Sequence, residues 1–210
     1  MKKIIYITLI LLCNMGIAKA QDYDEHNEHL NPVRGIYNIS NSGIEHCLKV
    51  RKVLFNGLSD YPEIGFQVIP SFTPASVLQI EFDGNNKYYI IYHIFEQMDF
   101  TKGEVNKFKI EIDKESVDLI KSLFSTAIAQ VRYPKEEFLG YDGTNYYFSI
   151  KESGLLKSGT VWSPNEKTKM GKLVAIGYKL IELAKSEKEV VKFDAKLQKE
   201  IEDLINELKK

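Results

Sequence analysis

The sequence predicts an α+β fold: a single domain with an antiparallel sheet of about five to seven strands, helices packed on one face, and a C-terminal amphipathic helix. Short segments rich in Val, Ile, Phe and Tyr alternate apolar and polar residues, which is the period of a strand with one wet face. Longer segments repeat apolar residues every three or four positions, which is the period of a helix. A sheet with helices gathered on one side buries both kinds of element.

Turn-forming residues separate the predicted strands. Pro70, Pro74 and Lys102-Gly103 interrupt the first block of strands. Asp83-Gly84, followed by two asparagines, favours a tight reversal because these residues tolerate positive φ. The predicted strands are Ile64–Ile69, Val77–Phe82, Lys87–Phe95, Val105–Ile112, Asn145–Ile150 and Lys157–Trp162. Short turns between such strands predict an antiparallel meander.

Three internal segments are predicted to be helices. Ser42 followed by Glu45 is a capping box, and the apolar spacing after it runs to Gly57 and places Cys47 on the buried face. Asp113 is the predicted N-cap of a helix over 114–131. A further helix is predicted over 165–184.

Residues 188–210 are predicted to form a strongly charged C-terminal helix with a narrow apolar stripe. The stripe consists of Val190, Phe193, Leu197, Ile201, Leu204 and Leu208. Two interpretations fit this pattern. The helix docks on its own domain, or it pairs with another chain, either in self-association or with a different partner.

The N-terminus has the pattern of a cleavable signal peptide. Lys2 and Lys3 precede an apolar run over residues 4–13, and Ala18-Lys19-Ala20 matches the small-residue cleavage pattern. The run is too short to span a bilayer, which needs about 20 apolar residues. We therefore expect residues 1–20 to be removed after Ala20, with the protein periplasmic or secreted.

The rest of the chain divides by composition into three parts. Residues 21–32 are polar and without periodicity, which predicts a flexible tether. Residues 33–187 form the predicted α+β domain, and 188–210 the C-terminal helix.

Removal of the signal changes both the charge and the cysteine content. Lys2, Lys3 and Lys19 leave with it, so 28 basic residues fall to 25 against 29 acidic ones, a net charge of −4. This balance does not favour binding to nucleic acid or to an anionic membrane surface. No later apolar run is long enough to span a membrane. Only Cys47 remains, which excludes an intrachain disulfide, so the domain must rely on packing.

The sequence shows no motif for nucleophilic, phosphate-binding or zinc chemistry, and no cofactor or metal is predicted. His26 and His29 have the helical spacing of metal ligands, but no further ligand set accompanies them. His46 and Cys47 are adjacent on a predicted helix and point about 100° apart, so they cannot form a catalytic pair. His93 lies within a predicted strand. A hydrolase that uses two carboxylates remains an alternative, because acidic residues are plentiful.

Aromatic residues crowd one region of the chain. They are Tyr133, Phe138, Tyr141, Tyr146, Tyr147, Phe148 and Trp162. Tyr and Trp combine a large contact area with a polar group and recur in binding surfaces. We predict Asp142, Tyr146 and Trp162 as binding residues. The other interpretation is that these aromatic side chains fill the core.

The same region carries a resemblance. Asp142-Gly143-x-x-Tyr146-x-Phe148, then Trp162-Ser163-Pro164 and an amphipathic helix with Gly177, resembles a pattern in small secreted proteins of Bacteroidetes-type bacteria whose function is uncharacterised. The similar region runs from Val68 to Ala184. The resemblance implies an exported α+β domain of unknown activity and carries over no catalytic residues, and the C-terminal helix lies outside it.

The predicted function is that of an exported, non-enzymatic binding protein with a protein partner, for example an inhibitor or immunity-type protein. This prediction depends on the missing catalytic motifs, the acidic net charge, the aromatic region and the apolar stripe of the C-terminal helix. A carbohydrate- or envelope-binding module and a carboxylate-dependent hydrolase are the alternatives.

Overall fold

The computed structural model describes residues 27–33, 48, 50–97, 104–134 and 142–210. The strands are β1 Ile64–Pro70, β2 Ser76–Phe82, β3 Tyr88–Phe95, β4 Val105–Ile112, β5 Thr144–Glu152, β6 Leu155–Trp162 and β7 Val190–Val191. The helices are α1 Lys114–Ile128, α2 Lys169–Ala184 and α3 Ala195–Leu208. Residues 48 and 50–54 are also helical. The predicted α+β class is confirmed.

All seven strands belong to one sheet with the order β6-β5-β1-β2-β3-β4-β7. Strands β1 to β4 form the predicted antiparallel meander, and β5 and β6 add a hairpin beside β1. Only β7 pairs in parallel, with β4. In this register Phe66 of β1 lies between Leu78 of β2 and Phe148 of β5, so even-numbered residues of these strands share one face.

The three helices α1, α2 and α3 cover that face and enclose the main core. Phe66 and Phe148 are fully buried, with ring centroids 5.0 Å apart. Helix α2 approaches the sheet closely at Gly177, where a Cβ atom would lie 2.5 Å from the Phe66 ring. The missing side chain therefore sets the distance between α2 and the sheet. We call this the helix face and the opposite one the open face.

The helical segment over 50–54 packs on the open face. Its Leu54 is fully buried in a second, smaller cluster with Val77 of β2 and Phe95 of β3. The predicted helix over 44–57 is thus described only in its second half, which ends near Gly57 at a φ of 88°. Cys47 and the capping box lie outside the described residues.

The C-terminal segment differs from its prediction at its start. Residues 190–191 form β7, and Asp194 accepts a hydrogen bond from the Leu197 backbone N–H (2.8 Å), so helix α3 begins at Ala195 rather than near 188. Val190 and Phe193 match the spacing of the stripe by coincidence. The stripe from Leu197 to Leu208 is buried in the core of its own domain, in agreement with the first of the two interpretations.

Residues 27–32, the described part of the predicted tether over 21–32, also differ from their prediction. Leu30 is fully buried and Asn27 and His29 nearly so. Asn31 exchanges two backbone hydrogen bonds with Thr160 of β6, at 2.8 and 2.9 Å. Composition alone indicated a mobile segment, because one apolar residue among many polar ones leaves no period to detect.

Two predicted helix boundaries shift by a few residues. Helix α1 ends at Ile128, and the residues up to Val131 continue as turns. Helix α2 begins at Lys169 with Thr168 as its N-cap, after a turn in which the Asn165 side chain accepts from the Lys167 N–H. Among the described helices, none is long and apolar enough to cross a membrane.

Candidate functional site

The aromatic region does not form one cluster, because strand alternation sends its members to opposite faces. Phe148 is buried in the main core, and Tyr146 lies on the same helix face. Tyr147 and Trp162 occupy register positions on the open face. Tyr133 stands apart beyond α1 and is 82% exposed. Phe138 and Tyr141 lie outside the described residues.

Tyr146 serves as a packing contact at the rim of the core. Its ring stacks on Phe66 with centroids 6.1 Å apart and planes 3° apart. Its hydroxyl lies 3.3 Å from the Tyr178 hydroxyl of α2. Burial, together with the Tyr146 hydroxyl, holds the pKa of Tyr178 well above its usual range. Tyr178 therefore stays protonated at physiological pH and does not act as a base.

Trp162 packs on Gly143, the residue after Asp142, at the open end of the β5–β6 hairpin. The indole of Trp162 packs on Gly143, where a Cβ atom would lie 2.6 Å from Cζ2. The Ser71 N–H donates to the Gly143 carbonyl at 2.8 Å. Asp142 itself is exposed. Glycine is thus required for packing at this position.

The Trp162-Ser163 dipeptide closes the same corner. The Ser163 N–H donates to the Thr144 carbonyl (2.9 Å), and the Thr144 N–H donates to Ser163 Oγ (2.8 Å). Ser163 has a φ of 36°, so the chain leaves β6 in a sharp turn. The two motifs noted in the sequence therefore meet in space. Their spacing is explained by a structural corner, with Tyr146 on the opposite face of the sheet.

His93 has a structural role on the open face. It is nearly fully buried, and because the Leu54 carbonyl can only accept, Nδ1 carries the proton and donates at 2.8 Å. Burial lowers the pKa of the imidazole, and the charge of Lys107 lowers it further, against the effect of the hydrogen bond. The neutral ring therefore connects the helical segment over 50–54 to the sheet. His26 and His46 lie outside the described residues.

Glu63 forms ion pairs with two lysines. Its carboxylate receives Lys121 Nζ of α1 at 2.5 Å and Lys151 Nζ of β5 at 3.2 Å. Burial raises the pKa of the carboxyl, but the two lysines outweigh it, so the pKa lies below its ordinary value. Glu63 is held ionised and joins α1 to the sheet. Within the described ranges, no group of three or more His, Cys, Asp or Glu residues has the arrangement of a metal site.

The outer edge of β6 is a feature that the sequence predictions did not include. Both backbone groups of Thr160 point away from β5, since they bond to Asn31. Backbone direction repeats every second residue in a strand, so the N–H and C=O groups of Ser158 and Leu156 point the same way. No described residue pairs with those four groups. Residue 31 therefore covers one half of the β6 edge, and no residue that the structure describes covers the other half, which we call the open half.

Apolar side chains flank the open half of this edge. Leu155 is 65% exposed on the helix side of β6, and Leu156 is 40% exposed on the open face. Lys157 is held by an ion pair with Glu152 across the hairpin. An edge with unpaired backbone and exposed leucines is a template for another extended chain. The sequence contains a signal for this apolar edge: two adjacent leucines, Leu155 and Leu156, directly follow the turn at Ser153-Gly154.

Comparison with known proteins adds no relative: no family model, no curated protein and no solved structure matches this chain.

Proposed function

We propose that this protein is an exported binding protein that takes an extended segment of a partner protein along the open half of β6. The observation that carries the proposal is the set of four outward backbone groups of Leu156 and Ser158, which no described residue engages. Recognition by strand addition uses such groups for affinity and the flanking side chains for specificity. An inhibitor or immunity-type protein is one form of this activity.

The protein's own N-terminal segment shows how an extended chain can lie along the edge of β6. Asn31 already lies antiparallel to β6 and exchanges both hydrogen bonds with Thr160, while Leu30 beside it is buried next to Gly159. The edge therefore accepts an extended chain with an apolar side chain in one register. A partner segment beside residues 155–158 would repeat this arrangement further along the strand.

Backbone complementarity favours a polypeptide as the ligand. Leu156 and Ser158 each present a donor and an acceptor at the repeat of an extended chain. Each hydrogen bond contributes about 0.5–1.5 kcal/mol net. The exposed side chains of Leu155 and Leu156 add apolar area on the two sides of the ladder. Such a contact is of modest size, so a partner needs further contacts for tight binding.

The test is site-specific photocrosslinking in an extract of the native envelope, with the crosslinking group at Leu155. It uses three chains: the wild type, Ser158→Pro and Ser158→Ala. Proline removes the outward N–H and is tolerated on edge strands. Alanine removes only the hydroxyl and is the matched control.

We expect one protein to be captured by the wild type and by Ser158→Ala, and its yield to fall at least tenfold with Ser158→Pro. Thermal unfolding of both variants checks that the domain is intact. Equal capture by all three chains, or loss of capture with Ser158→Ala alone, would contradict strand addition at this edge.

A further inference from the structure

A cavity of about 60 Å³ lies on the open face beside β1. Its floor includes Gly65 of β1, Gln79 of β2 and Ser149 of β5, and Leu156 forms part of its rim. A side chain at position 65 would collide with Ser149 Oγ, so glycine is required there for the Ser149 side chain to fit. One water-sized group takes about 10–15 Å³ of such volume, which gives room for about four to six non-hydrogen groups.

Gln79 lines this cavity, and its side chain carries an unsatisfied acceptor. The side chain is 4% exposed, and its Oε1 is buried without a hydrogen-bond donor among the described residues. The orientation of the amide is fixed, because its Nε2 donates to the Ser59 carbonyl at 3.1 Å and that carbonyl cannot donate. A buried acceptor without a donor destabilises the folded state, because it has lost its hydrogen bonds to water without replacement. A ligand N–H or O–H placed there removes this destabilisation.

The remaining lining determines what kind of ligand fits. Ser149 and Gln67 add a hydroxyl and an amide, which can donate to a carbonyl oxygen, while Val77 and Phe55 add apolar surface. Among the described residues that line the cavity, the charged ones are Arg51 and Asp60, which pair with each other at 3.2 Å. A neutral ligand is therefore favoured, since an unpaired buried charge is costly.

We propose that this cavity binds the acetamido group of an N-acetylated amino sugar. The group has one N–H for Gln79 Oε1, one carbonyl for the Ser149 or Gln67 donors, and a methyl for the apolar wall. Its size matches the available space, whereas a whole sugar ring does not fit and stays at the rim. Arg51 and Asp60 are strongly exposed there and can hydrogen-bond to ring hydroxyls. An acetylated lysine also carries an acetamido group, but it has no hydroxyls that could hydrogen-bond to Arg51 and Asp60. Leu156 belongs to both this cavity and the β6 edge, but Gln79, Ser149 and Gln67 take no part in strand addition, so the inference does not depend on the proposed function.

The test is saturation-transfer NMR on the full chain without its signal segment, with N-acetylglucosamine as the probe. Glucose, glucosamine and Nε-acetyl-lysine are the comparison probes. We expect the strongest transfer at the acetamido methyl, and at least tenfold weaker binding of the three comparison probes. No binding of N-acetylglucosamine, equal binding of the three sugars, or transfer centred on the ring would overturn the proposal. Binding of Nε-acetyl-lysine as tight as that of the sugar would overturn the assignment to a sugar.

Two variants test whether N-acetylglucosamine binds in this cavity. Gln79→Met removes the acceptor at similar volume, and Leu156→Trp obstructs the rim from an exposed position where folding is preserved. Both should weaken N-acetylglucosamine binding at least tenfold. Ser158→Ala, which changes the same face of the sheet outside the cavity, should leave it unchanged. Unchanged binding in both Gln79→Met and Leu156→Trp would overturn the proposal.

Discussion

Leu30→Ala tests whether the N-terminal segment belongs to the folded domain. Leu30 is fully buried, and the position of a Cβ atom on Gly159 would be 2.9 Å from its side chain. Burial of a leucine side chain contributes about 1.5–3 kcal/mol, and an unrelaxed cavity raises the loss toward about 5 kcal/mol.

The Leu30→Ala variant need not keep a cavity, because its N-terminal segment can detach from β6 instead. Besides the burial of Leu30, Asn27 and His29, the segment forms backbone hydrogen bonds with the rest of the domain: two between Asn31 and Thr160, and one from the Arg132 N–H to the Leu30 carbonyl at 3.2 Å. At about 1 kcal/mol each, these bonds limit how much strain the segment withstands before it leaves. We therefore expect Leu30→Ala to lower the free energy of unfolding by about 2–3 kcal/mol.

Urea unfolding followed by circular dichroism measures this loss on the chain without residues 1–20. Val33→Ala is the matched control, because Val33 lies in the same segment but is 41% exposed. A change within about 0.5 kcal/mol is expected for it. If the two variants unfold at the same urea concentration as the wild type, the segment contributes nothing and the predicted tether over 21–32 is correct after all.

Three further predictions concern the sheet and its two faces. Gly177→Ala should destabilise the domain by about 1–2 kcal/mol in urea unfolding, because overpacking against Phe66 exceeds the gain in helix propensity; an increase in stability would contradict the close approach of α2. The pKa of His93 is lowered below its ordinary 6.5 in the fold, so the unfolded chain binds the proton more readily and stability should fall as pH drops below about 6.5. His93→Asn, which keeps a donor for the Leu54 carbonyl, should remove that part of the pH dependence, and an unchanged pH profile would refute the assignment. Gly143→Ala should shift the emission of Trp162, the single tryptophan of the chain, because the new methyl displaces its ring; an unaltered spectrum would show that the corner is loose.

Local periodicity was sufficient to predict strands β1 to β6 and helices α1 and α2. Residues 78–82 alternate apolar and polar residues, and their register with β1 and β3 follows from the buried face. The start of α3 was beyond such reasoning. Val190 and Phe193 fit a helical stripe as well as an extended edge, and only the partner strand β4 decides between them. Asp194, an N-cap residue three positions before Leu197, was a signal that the stripe obscured.

The predicted site depended on closeness in sequence, which a sheet does not preserve. Tyr146 and Tyr147 are neighbours in the chain and lie on opposite faces. The alternation of side chains along a strand is enough to separate these two residues from the sequence alone. The cavity beside Gly65 could not be predicted in this way, because Gln79 and Ser149 reach it only through the pairing of β1 with both β2 and β5.

The N-terminal segment and the segment before α3 cover opposite edges of the sheet. This arrangement affects the behaviour of incomplete chains. Residues 30–31 cover part of β6, while Val190–Val191 pairs with β4 and leads into α3. A product that stops before residue 190 would leave the β4 edge bare and the main core without one of its helices. Bare edges beside exposed apolar surface pair readily with other chains. Truncated or partly synthesised molecules of this protein should therefore aggregate or be degraded rather than persist as smaller folded domains.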